Sequence, residues 1–252
     1  MPKEARGLRT KSRSRRRVLA GVLVAACLGS IACDDPDSNL EEQVFRHYRT
    51  DLLPDGDVEL IRIYVQGSLR NDDFFMDALD QAIRSWNEVG PLRFRFSLAP
   101  HPPPFLGPPI TDRERPIIIK PAGASGCCPF VAPRTFEGTA AADSPFRELG
   151  RINPGAEIEI NVPCMQLEPL PVQRHILMHE LGHTVGLRHT DWQTRASCHD
   201  GSKEHAAPFG ARPIDGTPQD DPDSVMAACY QPGASGTWSD GDRIAILKLF
   251  GP

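Results

Sequence analysis

The sequence predicts a single α+β domain, and three features of the chain carry that reading. Its elements run strand, helix, several strands, then helices, so helices and strands are segregated rather than alternating in repeated units. Twenty-five prolines and 21 glycines in 252 residues imply many turns and long irregular connections. There is no internal repeat, and no linker separates two cores.

The elements follow from the pattern. Val58 to Val65 is rich in β-branched and aromatic residues that nearly alternate, which predicts a first strand. From Asp72 to Val89, Phe75, Met76, Leu79, Ala82, Ile83 and Trp86 recur at the 3–4 spacing of an amphipathic helix. Asn71 or Asp72 can cap it, and Gly90-Pro91 stops it. Leu92 to Phe96 alternates as a second strand. Six prolines between Pro100 and Pro109 make a loop. Ile117-Ile118-Ile119 reads as a short buried strand, and 121–150 as irregular chain. Glu157 to Val162 alternates strictly, as a half-exposed strand at a sheet edge would. Pro171 opens a helix that runs to about Gly186. A long polar, irregular stretch over 190–240 precedes a terminal helix, Asp240–Phe250.

Charge divides the chain. Residues 1–32 hold eight basic side chains and one acid, a net of +7, so the whole-chain charge of −5 leaves −12 on the remainder. A domain this acidic is poorly suited to nucleic acid, and none is expected as a partner. The basic run leads into an apolar stretch, Val18–Ala32, too short for a membrane span of about 20 residues. Together they read as a secretory signal. Ser14-Arg15-Arg16-Arg17-Val18-Leu19 resembles a bacterial twin-arginine export signature. The small residues before Cys27 and before Cys33 resemble lipoprotein processing boxes, in which the cysteine is acylated. The expected plan is a signal peptide over 1–33, a tether over 34–56 and a domain over 57–252. The product would be a cell-envelope lipoprotein or a secreted protein, touching membrane only through a lipid anchor.

The chemistry is concentrated in His179-Glu180-Leu181-Gly182-His183-Thr184-Val185-Gly186-Leu187-Arg188-His189. His179 and His183 lie four apart, so on a helix both imidazoles leave one face a turn apart. That spacing lets two nitrogens reach one Zn²⁺. Glu180 stands about 100° around the helix, able to take a proton from a water without becoming a ligand. Gly186 can adopt the left-handed conformation that ends a helix, after which His189 can return as a third ligand. Three histidines leave one tetrahedral position open, the arrangement of a catalytic zinc site rather than a structural one.

These residues match the extended signature HExxHxxGxxH of the metzincin metalloproteases, and the chain resembles the matrixins among them. Asp223-Ser224-Val225-Met226-Ala227-Ala228 is similar to their methionine-bearing turn, with Met226 as its methionine. The helix ending in Trp86-Asn87-Glu88-Val89, the strand at Leu92-Arg93-Phe94 and the segment Trp238-Ser239-Asp240-Gly241-Asp242 to Gly251 extend the likeness over 57–252. It implies a small twisted mixed sheet, two main helices, an active-site helix and a C-terminal helix. It implies one catalytic Zn²⁺, with no acidic loop to indicate Ca²⁺. It also implies a monomer cleaving extended peptides or proteins, with Glu180 as general base.

By the same resemblance the substrate pairs with the strand at 157–162, so Ile158 and Ile160 are expected beside it. The pocket for the residue after the cleaved bond would lie between helix 171–186 and the residues after Met226, up to Trp238. Tyr230 follows Met226 by four residues, not the two of relatives that use a tyrosine as a movable ligand, so it is expected to be structural or a pocket wall. His175 is expected to be exposed or to support a ligand, since histidines on three consecutive turns cannot meet one ion. Asp191 is expected either to orient a ligand histidine or to serve in a turn. His199, His205, Asp220, Asp221 and Asp223 read as solvated loop, with a second metal as the alternative. Cys198–Cys229 and a pairing of Cys127 or Cys128 with Cys164 are the guessed disulfides. The competing reading is a zinc-containing surface binding protein without proteolysis. The presence of Glu180, which a purely structural site does not need, argues against it.

Overall fold

The computed structural model describes residues 45–49, 60–100, 114–122, 132–133, 156–198, 204 and 210–252. The processing cysteines Cys27 and Cys33, together with Cys127, Cys128, His199 and His205, lie outside the described residues. Most of the domain's strands and helices pack as a sheet against two helices. Strand β1 is Tyr48–Arg49 and β2 is Leu60–Val65, whose alternate residues Ile61, Ile63 and Val65 are buried. Helix α1, Asp73–Glu88, is capped by Asp72, whose carboxylate accepts from the Phe75 amide at 3.0 Å. It buries Phe75, Ala78, Leu79, Ala82, Ile83 and Trp86, the stripe its spacing predicts except that Ala78 is buried and Met76 only half-buried.

β3 (Arg95–Leu98), β4 (Glu114–Pro121), β5 (Ala132–Pro133) and β6 (Ala156–Ile160) complete the main sheet, in the order β3-β2-β4-β6-β5. All its pairs are parallel except β5–β6. The register sets Ile63 beside Ile117, and Ile119 beside both Val65 and Ile158, so the core-facing side chains form rows. This corrects the expected edge. β6 pairs with β4 on one side, and on the other Glu159 and Ile158 oppose Ala132 and Pro133. Ile158 and Ile160 are wholly buried in the core, so their side chains cannot line a substrate cleft.

The helices α2 (Val162–Met165), α3 (Leu170–Thr184) and α4 (Asp240–Phe250) follow. From Ile176 onward α3 is buried on every face, so no apolar stripe distinguishes one side of it. The indole N–H of Trp86 donates to the Met178 carbonyl at 3.1 Å and fixes α1 against α3. Trp238 packs edge-on against Trp86, with ring centres 4.8 Å apart, and donates to the Ser85 carbonyl. It is a core residue.

β1 lies between β7 (Leu187–Arg188) and β8 (Arg212–Pro213) in a small antiparallel sheet. Residues 45–49, assigned to the tether by sequence, are therefore built into the domain. Among the described residues, the mixed sheet, three longer helices and one short one give the α+β architecture that the sequence predicted.

Candidate metal centre

The end of α3 and the turn after it bring three imidazoles together. The Nε2 atoms of His179 and His183 are 2.9 Å apart, and His189 Nε2 lies 3.2 and 3.1 Å from them. Gly186, at φ +100°, makes the turn that lets the chain double back through β7 to His189.

The opposite ring nitrogens fix the protonation. His179 Nδ1 is 2.7 Å from the Val225 carbonyl oxygen, His183 Nδ1 is 2.8 Å from that of Leu187, and His189 Nδ1 meets the Glu204 carboxylate. These oxygens only accept, so each Nδ1 carries the hydrogen and each Nε2 presents a lone pair. The three Nε2 atoms therefore cannot hydrogen-bond to one another. Burial, with the neighbouring imidazoles, drives His179 far below the usual histidine range, and burial above all takes His183 to about 3. Three converging lone pairs repel unless a Lewis acid lies between them. Nitrogens about 2.0–2.1 Å from one tetrahedral ion would stand roughly 3.3–3.4 Å apart, close to this triangle, so the donor set fits zinc.

Glu180 is buried, and its Oε2 has no hydrogen-bond partner. Burial raises its carboxyl well above the usual carboxylate range. A basic, unpartnered carboxyl beside a metal-binding triad is suited to accepting a proton.

Met226 sits in a tight turn in which the Ala227 amide donates to the Ser224 carbonyl. Its carbonyl accepts from the amide of Thr190, the residue after His189. A Cβ on Gly182 would stand 2.6 Å from Met226 Sδ, so glycine lets the methionine lie directly against α3 at this position.

Other expectations resolve differently. Glu204, not Asp191, orients a ligand histidine. Asp191 instead accepts from the Ser197 amide and hydroxyl and from the Ala228 amide, cross-bracing two loops. Cys198–Cys229 forms, joining the same loops. His175 is buried, which lowers it to about 4, and its ring meets Tyr230 edge to face. The Tyr230 hydroxyl donates to Glu168 at 2.8 Å; burial first, then that bond, raises the phenol. Asp220 accepts from the Phe45 amide, Asp221 faces His47 and Asp223 is exposed, so the three acids form no common site. Glu204 escapes sequence reading because it stands in an irregular segment, 15 residues from His189, with no periodicity to mark it.

An α+β domain presenting three imidazoles and a buried glutamate on one helix-and-turn defines a metallopeptidase. The model of the dual-action HEIGH metallo-peptidases (Peptidase M57) matches residues 33–250, and the chain belongs to that family. The five residues of its name correspond to His179-Glu180-Leu181-Gly182-His183, with leucine in place of isoleucine. No curated protein matches the chain. Among solved structures, myroilysin aligns over 80% of this chain and 96% of its own, at 12% identity and a TM-score of 0.41, a superposition too loose to carry an argument.

Proposed function

We propose that the protein is a zinc endopeptidase that hydrolyses peptide bonds in extended substrates. The observation that carries this is the set of three lone-pair-bearing Nε2 atoms beside an unpartnered, buried Glu180. His179, His183 and His189 would hold a zinc ion, which would supply Lewis acidity for activating water and polarising the scissile carbonyl. Glu180 takes the proton of the attacking water and delivers it to the leaving amine nitrogen. The Val225 and Leu187 carbonyls and the Glu204 carboxylate hold the ligand rings in the tautomer that binding needs. Tyr230, tied to Glu168 and set against His175, walls the side of the site beyond the Met226 turn.

The enzyme works as a monomer outside the cytoplasm, lipid-anchored at Cys33 or Cys27 or released. Its partners are peptides or proteins, not nucleic acids. The resemblance to matrixins supports the endopeptidase part of this reading, and the export-type N-terminus supports the location.

The test is cleavage of a peptide library by wild type and by Glu180→Ala, with and without a chelator. Chelation should abolish cleavage and added zinc restore it. Glu180→Ala should bind metal yet lose about 10²–10⁴ in rate. If wild type binds zinc stoichiometrically and cuts nothing, the alternative of a zinc-containing surface binding protein takes its place.

A further inference from the structure

Away from the three ligands, a second group of titratable side chains is buried together: His47, Asp221 and Asp242. His47 Nε2 donates to Asp221 Oδ2 at 2.8 Å, while its Nδ1 lies 3.7 Å from Asp242 Oδ1. Each carboxylate meets a different ring nitrogen, and the other contacts of both carboxylates are to protein donors. Asp221 Oδ2 also accepts from the Ser239 hydroxyl at 2.6 Å. Asp242 Oδ2 accepts from the Val225 amide at 2.8 Å and the Ser239 amide at 3.1 Å, and its Oδ1 accepts from the Ser224 hydroxyl at 2.6 Å. This pattern is a clamp between chain segments rather than an ion site.

The clamp ends at the metal centre. Asp242 holds the amide of Val225, and the carbonyl of Val225 receives the Nδ1–H of His179. The segment that carries His47 runs directly into β1 and reaches another ligand through its main chain. β1 pairs with Leu187 and Arg188, and the Arg46 amide donates to Thr190, so it grips both sides of His189. On its other side the Ile214 amide donates to the His47 carbonyl, and the Asp221 amide to that of Phe45.

We propose that His47 is a positioning residue for the metal centre, locking the β1 strap to Asp221 and Asp242 so that the Val225 carbonyl holds His179 in its ligating orientation. The inference rests on the proposed metal site. It assigns work to a residue 132 positions from the nearest ligand in sequence, in a segment with no signal of its own.

The test uses the full chain loaded with Co²⁺, whose visible bands report ligand geometry. His47→Ala should bind Co²⁺ about 10–100-fold more weakly and shift those bands, as loss of a group that orients a ligand does. Peptide cleavage should fall in kcat with KM held. His47→Gln, which keeps an N–H donor for Asp221, should recover most of the affinity and the wild-type spectrum. A folded His47→Ala protein with wild-type spectrum and affinity overturns the proposal, whatever its thermal stability. Should His47→Ala fail to fold, Asp221→Ala decides in the same way. If wild type itself takes up no Co²⁺ that His183→Ala abolishes, the metal site fails and the proposal with it.

Discussion

The carboxylate of Glu204 accepts the Nδ1–H of His189, and the guanidinium of Arg188 bonds the same carboxylate. Burial opposes its ionisation, but the His189 hydrogen bond and the charge of Arg188 prevail and bring Glu204 down to about 2. It is therefore an anion at any working pH, and it makes His189 the most basic-backed of the three ligands: the other two lean on neutral carbonyls. Glu204→Ala should weaken metal binding about 10–100-fold, and Glu204→Gln, which keeps an acceptor but not the charge, should fall between. Competition against a chromogenic chelator measures both. Affinities equal to wild type would mean that His189 is held by the β7 turn alone.

Gly182 stands where the two helical ligands leave room for Met226. An added methyl would lie 2.6 Å from Sδ and 3.2 Å from Cε of that methionine, which is itself buried. The thioether must repack to make room, inside a buried turn whose main chain is bonded to Thr190 and whose neighbouring Val225 carbonyl holds His179. Gly182→Ala should cost about 1–3 kcal/mol of stability and loosen the metal, although alanine favours the helix. Gly182→Ala combined with Met226→Ala should regain part of the metal affinity, because the collision is gone. Urea unfolding and metal titration of the single and double variants decide it.

The fold was legible where periodicity is strong. The stripe from Phe75 to Trp86 gave α1 within a residue at each end, and of the two cap candidates, Asn71 and Asp72, it is Asp72 that caps the helix. The three ligands were legible because they lie within 11 residues, on one helix and its turn, where spacing alone sets geometry. What escaped depends on distant contacts. β1, β5, β7 and β8 are two-residue strands, too short for alternation to show, and they exist because of their partners. The half-exposed edge expected at 157–162 failed because the buried pair Ile158 and Ile160 shows which face is covered but not which side is already paired. His47, Glu204 and Asp242 gain their roles only when remote loops meet, so nothing local distinguishes them from solvated polar residues.

The disulfide between Cys198 and Cys229 spans 31 residues of sequence, and that loop carries Glu204, Val225 and Met226. The two groups outside β7 that accept a ligand's Nδ1–H, the Val225 carbonyl and the Glu204 carboxylate, thus both lie between its ends. Asp191 and Ser197 bind the base of the same loop, the Ser197 hydroxyl accepting from the Cys229 amide at 2.9 Å. Closing a loop of this length contributes about 3–4 kcal/mol in the chain-entropy account. Reduction, or Cys198→Ser with Cys229→Ser, should lower stability by about that amount and accelerate metal loss. Thermal unfolding and metal release with and without reductant test it. Unchanged metal retention would show that the Asp191 and Ser197 bonds suffice.

His175 is buried one turn before His179, and burial holds it near 4 when an unfolded chain would titrate at about 6.5. Above pH 6.5 both states are neutral there, and the residue costs nothing. Between pH 6.5 and 4 the unfolded chain takes up a proton that the folded one refuses, so stability falls as pH falls. The depressed folded value makes the loss about 3 kcal/mol once pH 4 is reached, at about 1.4 kcal/mol per unit. His183, held near 3 chiefly by burial, adds to the loss in metal-free protein, whereas a bound ion would protect it. Glu180 acts in the opposite sense: its raised carboxyl favours the folded state below about pH 4.5 and withdraws that contribution as pH rises through the folded value. Replacing His175 by leucine should therefore lessen the slope of metal-free stability between pH 6.5 and 4 by one proton's share, while His179 and His183 keep theirs through that window and below it. Urea unfolding of both proteins across that range gives the comparison, and equal slopes would place the acid sensitivity in the ligand histidines instead of His175.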